Sequence, residues 1–344
     1  MVMRSVLYTG ERTFTVVDGE VRPPGPGEVR IDVAYTGICG TDLHIRHGAM
    51  GARVRPPTVI GHEMAGRLAE IGPGVSGWAP GDPVTVMPLE WCGECPACRA
   101  GHSHICHKLN FVGIDSPGSL QGSWTVPARL LVRLPSELPL HRAALVEPAA
   151  VAVHDVRRAQ LTAGEQVVVV GGGPIGLLVA RVAAVDGAEV LVVEPDSRRR
   201  AVAQHLGLST VDPAAEDVPS FVDNWTAGAG VAVAFEVSGS AAGVGTATTV
   251  LAARGRLVMV AIHPIPREVD LYRLFWRELS IIGARVYERR DVERAVDLVA
   301  KGDIPADDLI SRVVPINQVN EAFDALERGG EVKVLVDCRG GGDV

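Results

Sequence analysis

Two hydrophobic patterns divide the chain near residue 150. Before that point, short β-branched or alternating runs are separated by turns rich in glycine and proline, and these runs lie at residues 29–35, 64–71 and 84–87. Short strands with such punctuation predict an irregular, barrel-like β domain in this part of the chain.

Beyond residue 150 the apolar runs are continuous, and helical patterns lie between them. Strands are predicted at residues 167–170, 189–193, 231–237, 256–261 and 280–282. Helices are predicted from the glycine-rich segment 171–176 to about 186 and at residues 197–206. This alternation is typical of βαβ units, so we expect a parallel sheet covered on both faces. The remainder predicts helices at 291–300 and 319–328 and strands at 311–315 and 332–336.

Length, charge and apolar content limit the class of protein. At roughly 150 residues per domain, the 344 residues suggest about two domains, and 47% hydrophobic with 22% charged residues is ordinary for a globular protein. The 33 basic and 41 acidic residues give a net charge of −8. This balance argues against a general binder of nucleic acid or of anionic membranes.

The sequence contains no signal for membrane insertion or secretion. The longest apolar stretch, residues 167–180, is rich in glycine and has about 14 residues, whereas a bilayer needs about 20. The first residues lack the basic and apolar regions of a signal peptide. We therefore expect a soluble, cytoplasmic protein.

A glycine-rich loop follows the first strand of the second half. Its spacing, G-x-G-x-x-G, is formed by Gly171, Gly173 and Gly176 directly after four valines, and Pro174 and Ile175 lie between them. After a strand and before a helix, such glycines permit a tight turn and a close approach of the backbone to a dinucleotide pyrophosphate. The alternative is a strand–turn–helix whose glycines serve packing only.

Glu194 indicates which dinucleotide is bound. It ends the next predicted strand about twenty residues on, where a carboxylate accepts hydrogen bonds from the adenosine ribose and repels a 2′-phosphate. Arg198, Arg199 and Arg200 follow, and they could clamp such a phosphate or form the solvated start of a helix. Because of Glu194 we expect NAD rather than NADP, with Arg199 near the adenine.

Four of the six cysteines lie within fifteen residues, which is typical of a metal site rather than of a disulfide framework. Their spacing, C-x2-C-x2-C-x7-C, matches a closed structural zinc site, with an iron–sulfur cluster as the alternative. His102, His104 and His107 are expected to be polar loop residues, because four thiolates complete the shell. The cysteines are Cys92, Cys95, Cys98 and Cys106.

A second set of ligand residues lies outside this lobe. Cys39, His62 and an acidic residue would supply the three protein ligands of a catalytic zinc, which keeps one position open for substrate. Glu63 and Glu147 are the candidates for the acidic ligand. Taken singly, these residues could equally be a buried cysteine, a core histidine and a glutamate at a helix start.

Together the motifs resemble those of the zinc-containing medium-chain alcohol dehydrogenases, over essentially the whole chain. The resemblance implies an α/β fold, in which a doubly wound Rossmann parallel sheet is inserted into a GroES-like, irregular β-barrel catalytic domain. The implied catalytic domain is 1–149 with its zinc lobe at about 90–108, the NAD-binding domain is 150–285, and the chain returns to the catalytic domain at 286–344.

The resemblance also implies roles for single residues. Cys39 and His62 are similar to the zinc ligands of the family, and Asp42 to the residue that orients the histidine. Thr41 is similar to the hydroxyl that takes the substrate proton, and His44 to the outer member of that relay.

The segment that begins at Glu147 is similar to the polyol, sorbitol and butanediol branch of the family. The enzymes of simple alcohols usually carry cysteine where this chain has Glu147. Glu147 is therefore the expected third ligand, with Glu63 exchanging with it or binding through water, and the sequence does not decide which of them touches the metal.

The expected reaction is oxidation of a secondary alcohol or polyol, sorbitol- or 2,3-butanediol-like, to a ketone with hydride transfer to NAD. An L-threonine 3-dehydrogenase shares nearly all of these motifs, and a dehydrogenase of cyclitols or aminocyclitols would also fit them. A non-enzymatic, zinc-stabilised NAD-binding protein is the other alternative, against which the complete set of Cys39, Thr41, His44 and His62 argues. We expect two zinc ions per subunit, NAD, and a homodimer or homotetramer.

Overall fold

The computed structural model describes residues 2–10 and 12–340. Its strands, numbered in chain order, are β1 (Val2–Tyr8), β2 (Phe14–Glu20), β3 (Glu28–Gly37), β4 (Thr58–Val59), β5 (Glu63–Ile71), β6 (Pro83–Val86), β7 (Leu89–Glu90), β8 (Asn110–Phe111), β9 (Ser123–Pro127), β10 (Leu131–Arg133), β11 (Gln166–Val170), β12 (Glu189–Val193), β13 (Ser209–Val211), β14 (Val231–Glu236), β15 (Leu251–Met259), β16 (Ser280–Gly283), β17 (Ile310–Pro315) and β18 (Lys333–Asp337).

The helices are α1 (Gly40–Arg46), α2 (Pro96–Arg99), α3 (Leu140–Ala143), α4 (Val146–Arg158), α5 (Pro174–Val185), α6 (Ser197–His205), α7 (Val218–Trp225), α8 (Ala241–Thr249), α9 (Leu271–Trp276), α10 (Arg289–Lys301), α11 (Ala306–Leu309) and α12 (Val319–Arg328). Short 3₁₀ turns lie at Ser103–Ile105, Ala128–Leu130 and Ile316–Gln318. In the described part of the chain, no helix has the length and apolar character that crossing a membrane requires.

The chain forms two compact units. The first contains the chain up to Glu147, then Glu288–Gly302 and the chain from Ile310 onward, and the second contains Pro148–Tyr287 and Asp303–Leu309. The crossings at 147/148 and 287/288 lie close to the boundaries at 149/150 and 285/286 expected from the sequence. The segment Asp303–Leu309 is held in the second unit, where Arg181 donates to the Asp303 carbonyl at 2.8 Å.

The first unit is built around a seven-stranded sheet in the order β10-β6-β5-β3-β18-β17, with β9 also paired to β3. The predicted strands at 29–35, 64–71 and 84–87 correspond to β3, β5 and β6, so the β domain expected there is confirmed. β3 pairs antiparallel with β5 and with β18, and its last residue, Gly37, lies opposite both Glu63 and Leu335. The C-terminal strand β18 therefore lies one strand away from the first residues of β5, with Gly37 of β3 between them.

The second unit is a parallel sheet in the order β13-β12-β11-β14-β15-β16. This is the strand order of a doubly wound nucleotide-binding fold, whose switch point lies between β11 and β14. The four valines of β11 are buried, because a parallel sheet covered on both faces needs apolar side chains on each of them. The predicted α/β fold is thus confirmed. One strand is longer than predicted, because β15 begins at Leu251 rather than at 256. Leu251 pairs with Val231, and a register shift separates this pair from the rest of the ladder.

Candidate active site

The first turn of α1 fixes the relative position of a thiol and a carboxylate. Cys39 is the N-cap residue, and its Sγ accepts the backbone N–H of Thr41 at 3.5 Å. Asp42 Oδ2 accepts the backbone N–H of Cys39 at 2.9 Å. This reciprocal cap satisfies N–H groups that the start of a helix leaves unpaired. The cap at the start of α1 therefore holds the side chains of Cys39 and Asp42 close to each other.

The second oxygen of Asp42 faces an imidazole. Asp42 Oδ1 lies 3.8 Å from His62 Nδ1, which is an ion-pair distance and longer than a hydrogen bond. Both side chains are buried, and neither atom has a hydrogen-bond partner among the described residues. The ring of Phe111 packs edge-on against the His62 ring at 5.2 Å between centroids. A carboxylate behind one nitrogen is the arrangement that leaves the other nitrogen to a metal.

Three potential ligands converge at this point. One ligand atom each of Cys39, His62 and Glu63 lies within 4.8 Å of the other two. Glu147, in the first turn of α4, is also buried but does not belong to that set. Sulfur, nitrogen and carboxylate oxygen are the donors that zinc takes in catalytic sites, so the residues fit a zinc ion.

The charge around His62 supports this fit. Burial opposes the protonation of His62, but Asp42, Cys39 and Glu147 outweigh it and raise the pKa of His62 to about 10. Burial has the opposite effect on a carboxyl group: it raises the pKa of Asp42, and the charge of His62 only partly offsets this rise. The surroundings of the imidazole therefore favour positive charge, which a divalent cation bound to Cys39 and His62 would supply.

Lys333 is a residue of this site that the sequence motifs did not identify. Its buried ammonium donates to both carboxylate oxygens of Glu63, at 2.9 and 2.7 Å. The sequence holds a signal for it, because the chain has only three lysines and this one lies in the otherwise apolar run Val332–Val336. A lysine inside such a strand is expected to have a buried acidic partner.

Thr41 and His44 lie on the same helix as Asp42. They are three residues apart on α1 and therefore share one face of the helix. Thr41 is half-buried, whereas His44 is exposed to solvent. The two side chains are thus arranged from the interior towards water.

The four-cysteine lobe forms a compact cluster of its own. The Sγ of Cys106 lies 3.8 Å from that of Cys95 and 3.5 Å from that of Cys92, and all four thiol sulfurs lie within 4.8 Å of one another. A disulfide would require about 2.05 Å, whereas tetrahedral zinc with Zn–S bonds of about 2.3 Å places sulfurs about 3.8 Å apart. Backbone N–H groups of Cys98 and His107 lower the pKa of Cys95 to about 6, which favours the thiolate.

The glycine-rich loop has the backbone that a dinucleotide site requires. Gly171 adopts φ +111°, a conformation that favours glycine, and a Cβ on Gly176 would overlap the Gly171 carbonyl. Gly173 is the N-cap of α5 and Pro174 is its first residue, so the helix begins within the glycine-rich segment itself. Free N–H groups at such a terminus attract the pyrophosphate.

Glu194 and the three arginines have distinct contacts. The buried Glu194 carboxylate follows β12 and accepts the backbone N–H groups of Gly172 at 2.6 Å and Asp196 at 2.8 Å. Arg200 pairs with Asp212 at 2.8 Å, and Arg198 is largely exposed. The Arg199 guanidinium lies beside the glycine-rich loop, 4.0 Å from where a Cβ on Gly173 would stand. Of the three arginines, Arg199 therefore faces the loop.

Comparison with known families divides the chain in the same way as the motifs do. Residues 25–136 match the model of the "Alcohol dehydrogenase GroES-like domain", and residues 174–301 match the model "Zinc-binding dehydrogenase". The first range contains Cys39, His62 and the four-cysteine lobe, and the second begins at Pro174, inside the glycine-rich loop.

Similar proteins cover nearly the whole chain. A 2-dehydro-3-deoxy-L-galactonate 5-dehydrogenase of Pseudoalteromonas atlantica is 50% identical over 98% of this chain and 99% of its own length. A zinc-binding dehydrogenase of Sinorhizobium meliloti, solved with NADP bound, is 33% identical with a TM-score of 0.92, over 98% of this chain and 99% of that one. The 2R,3R-butanediol dehydrogenase of Bacillus subtilis is 30% identical with a TM-score of 0.90, over 97% and 99%.

Proposed function

The chain belongs to the zinc-containing medium-chain alcohol and polyol dehydrogenases, and we propose that it oxidises a secondary hydroxyl of a polyhydroxylated acid or polyol to a ketone, with NAD as the hydride acceptor. The observation that carries the proposal is the convergence of Cys39, His62 and a buried carboxylate, with Asp42 facing the imidazole of His62 from the other side. A dinucleotide loop in the same chain provides for the other reactant.

Each residue of the first site has a proposed part in the reaction. Zinc bound to Cys39, His62 and a carboxylate would act as a Lewis acid that acidifies the substrate hydroxyl, and NAD would accept the hydride. Asp42 holds the imidazole in position through the ion pair at its Nδ1. The Thr41 hydroxyl takes the hydroxyl proton, and His44, which is exposed, passes it to water. The carbinol carbon loses hydride and the oxygen loses a proton, which balances a two-electron oxidation.

The substrate class follows from the relatives. The 50% identical protein is named for oxidation at carbon 5 of a 2-dehydro-3-deoxy sugar acid, and a structural neighbour is named for a vicinal diol. Both names describe a secondary hydroxyl on an oxygen-rich carbon chain. We therefore favour a deoxy sugar acid, ahead of the sorbitol- and butanediol-like substrates that the sequence motifs indicate.

The choice of NAD rests on Glu194. Its carboxylate, fixed by Gly172 and Asp196, stands at the end of β12, where the ribose hydroxyls of a bound adenosine are expected. A 2′-phosphate there would meet a buried negative charge. Arg199 is the opposing feature, and the structural neighbour with NADP bound shows that the fold admits that cofactor as well.

We also propose that the protein is a homo-oligomer formed through the second unit. Helix α9 exposes Leu271, Tyr272, Phe275 and Trp276 by 65–74%, and the open edge strand β16 exposes Ile281. Three aromatic side chains so exposed offer about 300–500 Å². With their aliphatic neighbours they approach the roughly 800 Å² per partner of a stable interface. A second copy is the occupant that we infer, because an open strand edge can pair with itself about a twofold axis.

A substrate panel tests the reaction. We expect NADH to form fastest from 2-dehydro-3-deoxy sugar acids, with kcat/KM for ethanol lower by about 10²-fold or more, since a site that binds hydroxyls rejects analogues without them. Sorbitol, 2,3-butanediol, threonine and inositols complete the panel. A preference for ethanol would contradict the substrate class, and a preference for threonine would favour the threonine dehydrogenase alternative.

Two zinc ions per subunit are expected, with separable roles. Cys39→Ser should remove one zinc and abolish turnover, whereas Cys95→Ser should remove the other and lower the melting temperature, because a structural zinc contributes folding free energy. Metal analysis and thermal unfolding measure both effects. Cys338→Ser, which changes a buried cysteine outside both clusters, should retain two zinc ions. Iron in the lobe, or wild-type protein without metal, would refute this prediction.

Glu194→Ala is expected to narrow the preference for NAD over NADP by about tenfold or more, because it removes a like-charge repulsion from a 2′-phosphate. The measured quantity is the ratio of the two kcat/KM values. The matched control is Glu189→Ala, at the exposed start of the same strand, which should leave the ratio unchanged. A wild-type kcat/KM for NADP equal to or higher than that for NAD would contradict the assignment.

Loss of the proton relay should slow turnover. Thr41→Ala should cost about 10²- to 10⁴-fold in rate, and His44→Ala less, because water can replace an exposed outer member. The loss for His44→Ala should shrink as pH rises and hydroxide takes over. His47→Ala, at the C-cap of the same helix, is the control and should match wild type. A His44→Ala variant as fast as wild type at pH 7 would exclude the relay.

Light scattering after size exclusion tests the oligomer. We expect wild-type protein to elute as a dimer or tetramer and Trp276→Glu to dissociate, because a charge would be buried at the interface without a partner. Phe221→Glu, in α7, alters an exposed aromatic away from α9 and β16 and should leave the assembly intact. A monomeric wild-type protein would overturn this proposal.

A further inference from the structure

The Lys333 ammonium joins three groups in the interior of the first unit. Its Nζ lies 2.9 and 2.7 Å from the two oxygens of Glu63 and 3.2 Å from the carbonyl oxygen of Ile38. The exposed fraction is 4% for the lysine side chain and 1% for the glutamate side chain. An ammonium has three N–H groups, and this geometry uses all of them.

These contacts tie together the two segments that carry the proposed ligands. Ile38 directly precedes Cys39, and Glu63 directly follows His62. The backbone supports the same junction, because the Ile38 N–H donates to the Val334 carbonyl at 3.0 Å. Gly37 leaves room for it, since a Cβ there would overlap the Glu63 carboxylate. The start of β18 therefore holds both ligand segments from one side.

The ion pair also decides what Glu63 can offer to a metal. Both of its oxygens already accept a charge-assisted hydrogen bond, and a buried carboxylate without such partners would be strongly destabilising. Metal binding by Glu63 would have to compete with the ammonium for the same oxygens. A Glu63 oxygen lies within 4.8 Å of the ligand atoms of Cys39 and His62, so a metal ion bound to those two residues would be within reach of Glu63.

We propose that Lys333 is a positioning residue of the metal site, which occupies both oxygens of Glu63 and thereby keeps that carboxylate out of the inner ligand set. This inference rests on the proposed function, because it requires a metal at Cys39 and His62. It makes Glu63 a conditional ligand, available only when Lys333 is removed.

A double-mutant cycle with cobalt as the probe tests the proposal. Lys333→Met is compared with wild type, and Glu63→Gln/Lys333→Met with Glu63→Gln. The readouts are the affinity for Co²⁺ by chelator competition and the visible absorption of the bound Co²⁺, which reports its coordination number and thiolate ligation. Retention of the cobalt in the four-cysteine lobe reports that each variant is folded.

With Glu63 present, Lys333→Met should tighten the second Co²⁺ by about 10- to 100-fold, a range typical of changes in outer partners, and should weaken the visible bands as the coordination number rises. With Glu63→Gln, the same substitution should change neither readout. Lys333→Gln keeps donors for Glu63 but loses the charge, so it should shift both readouts in the same direction by less and serves if Lys333→Met does not fold.

Unchanged or weaker cobalt binding in Lys333→Met would overturn the proposal. An equal change in both backgrounds would also overturn it, because the lysine would then act through its charge alone and not through Glu63. Wild-type protein that binds cobalt only in the lobe would refute the metal site itself, and with it this inference, so the two failures are distinguishable.

Discussion

The burial of three carboxylates around one imidazole is the constraint on which the first unit depends. Asp42, Glu63 and Glu147 are each at most 6% exposed, and buried charges are tolerated only when they are compensated. The start of α1 compensates one oxygen of Asp42, and Lys333 compensates Glu63. His62 faces the other oxygen of Asp42, and a bound divalent cation would add further positive charge beside these carboxylates.

This constraint explains why the chain returns to its first unit. Lys333 lies 270 residues from Glu63 in the sequence, and it reaches that carboxylate because β18 pairs with β3 in the middle of the sheet. In the sequence, the residues of the second unit thus lie between Glu63 and Lys333, which belong to a single charge network in the first unit. The sheet of the second unit is built from largely apolar, parallel strands, among them β11, β12 and β14. The glycine-rich segment and Glu194, which are proposed to bind the cofactor, follow β11 and β12.

The local features of both units could be predicted from the sequence, because each depends on neighbouring residues. Four consecutive valines predict the buried strand β11, and the cysteine spacing predicts the cluster in the lobe. The partner of Glu63 could not be predicted in the same way, since a single lysine has no period and its contact is set by the topology of the sheet. Nor could the sequence predict the individual contacts of the three arginines, since Arg198 is exposed to solvent, Arg200 pairs with Asp212 and Arg199 lies beside the glycine-rich loop.

Anomalous diffraction at the zinc absorption edge tests the central claim most directly. The account predicts two peaks per chain, one among the four cysteines and one about 2.0–2.3 Å from Cys39 Sγ and a nitrogen of His62, with a Glu147 oxygen in its inner shell. A single peak confined to the four-cysteine lobe would contradict the account, because Cys39, His62 and the buried carboxylates would then hold no catalytic metal.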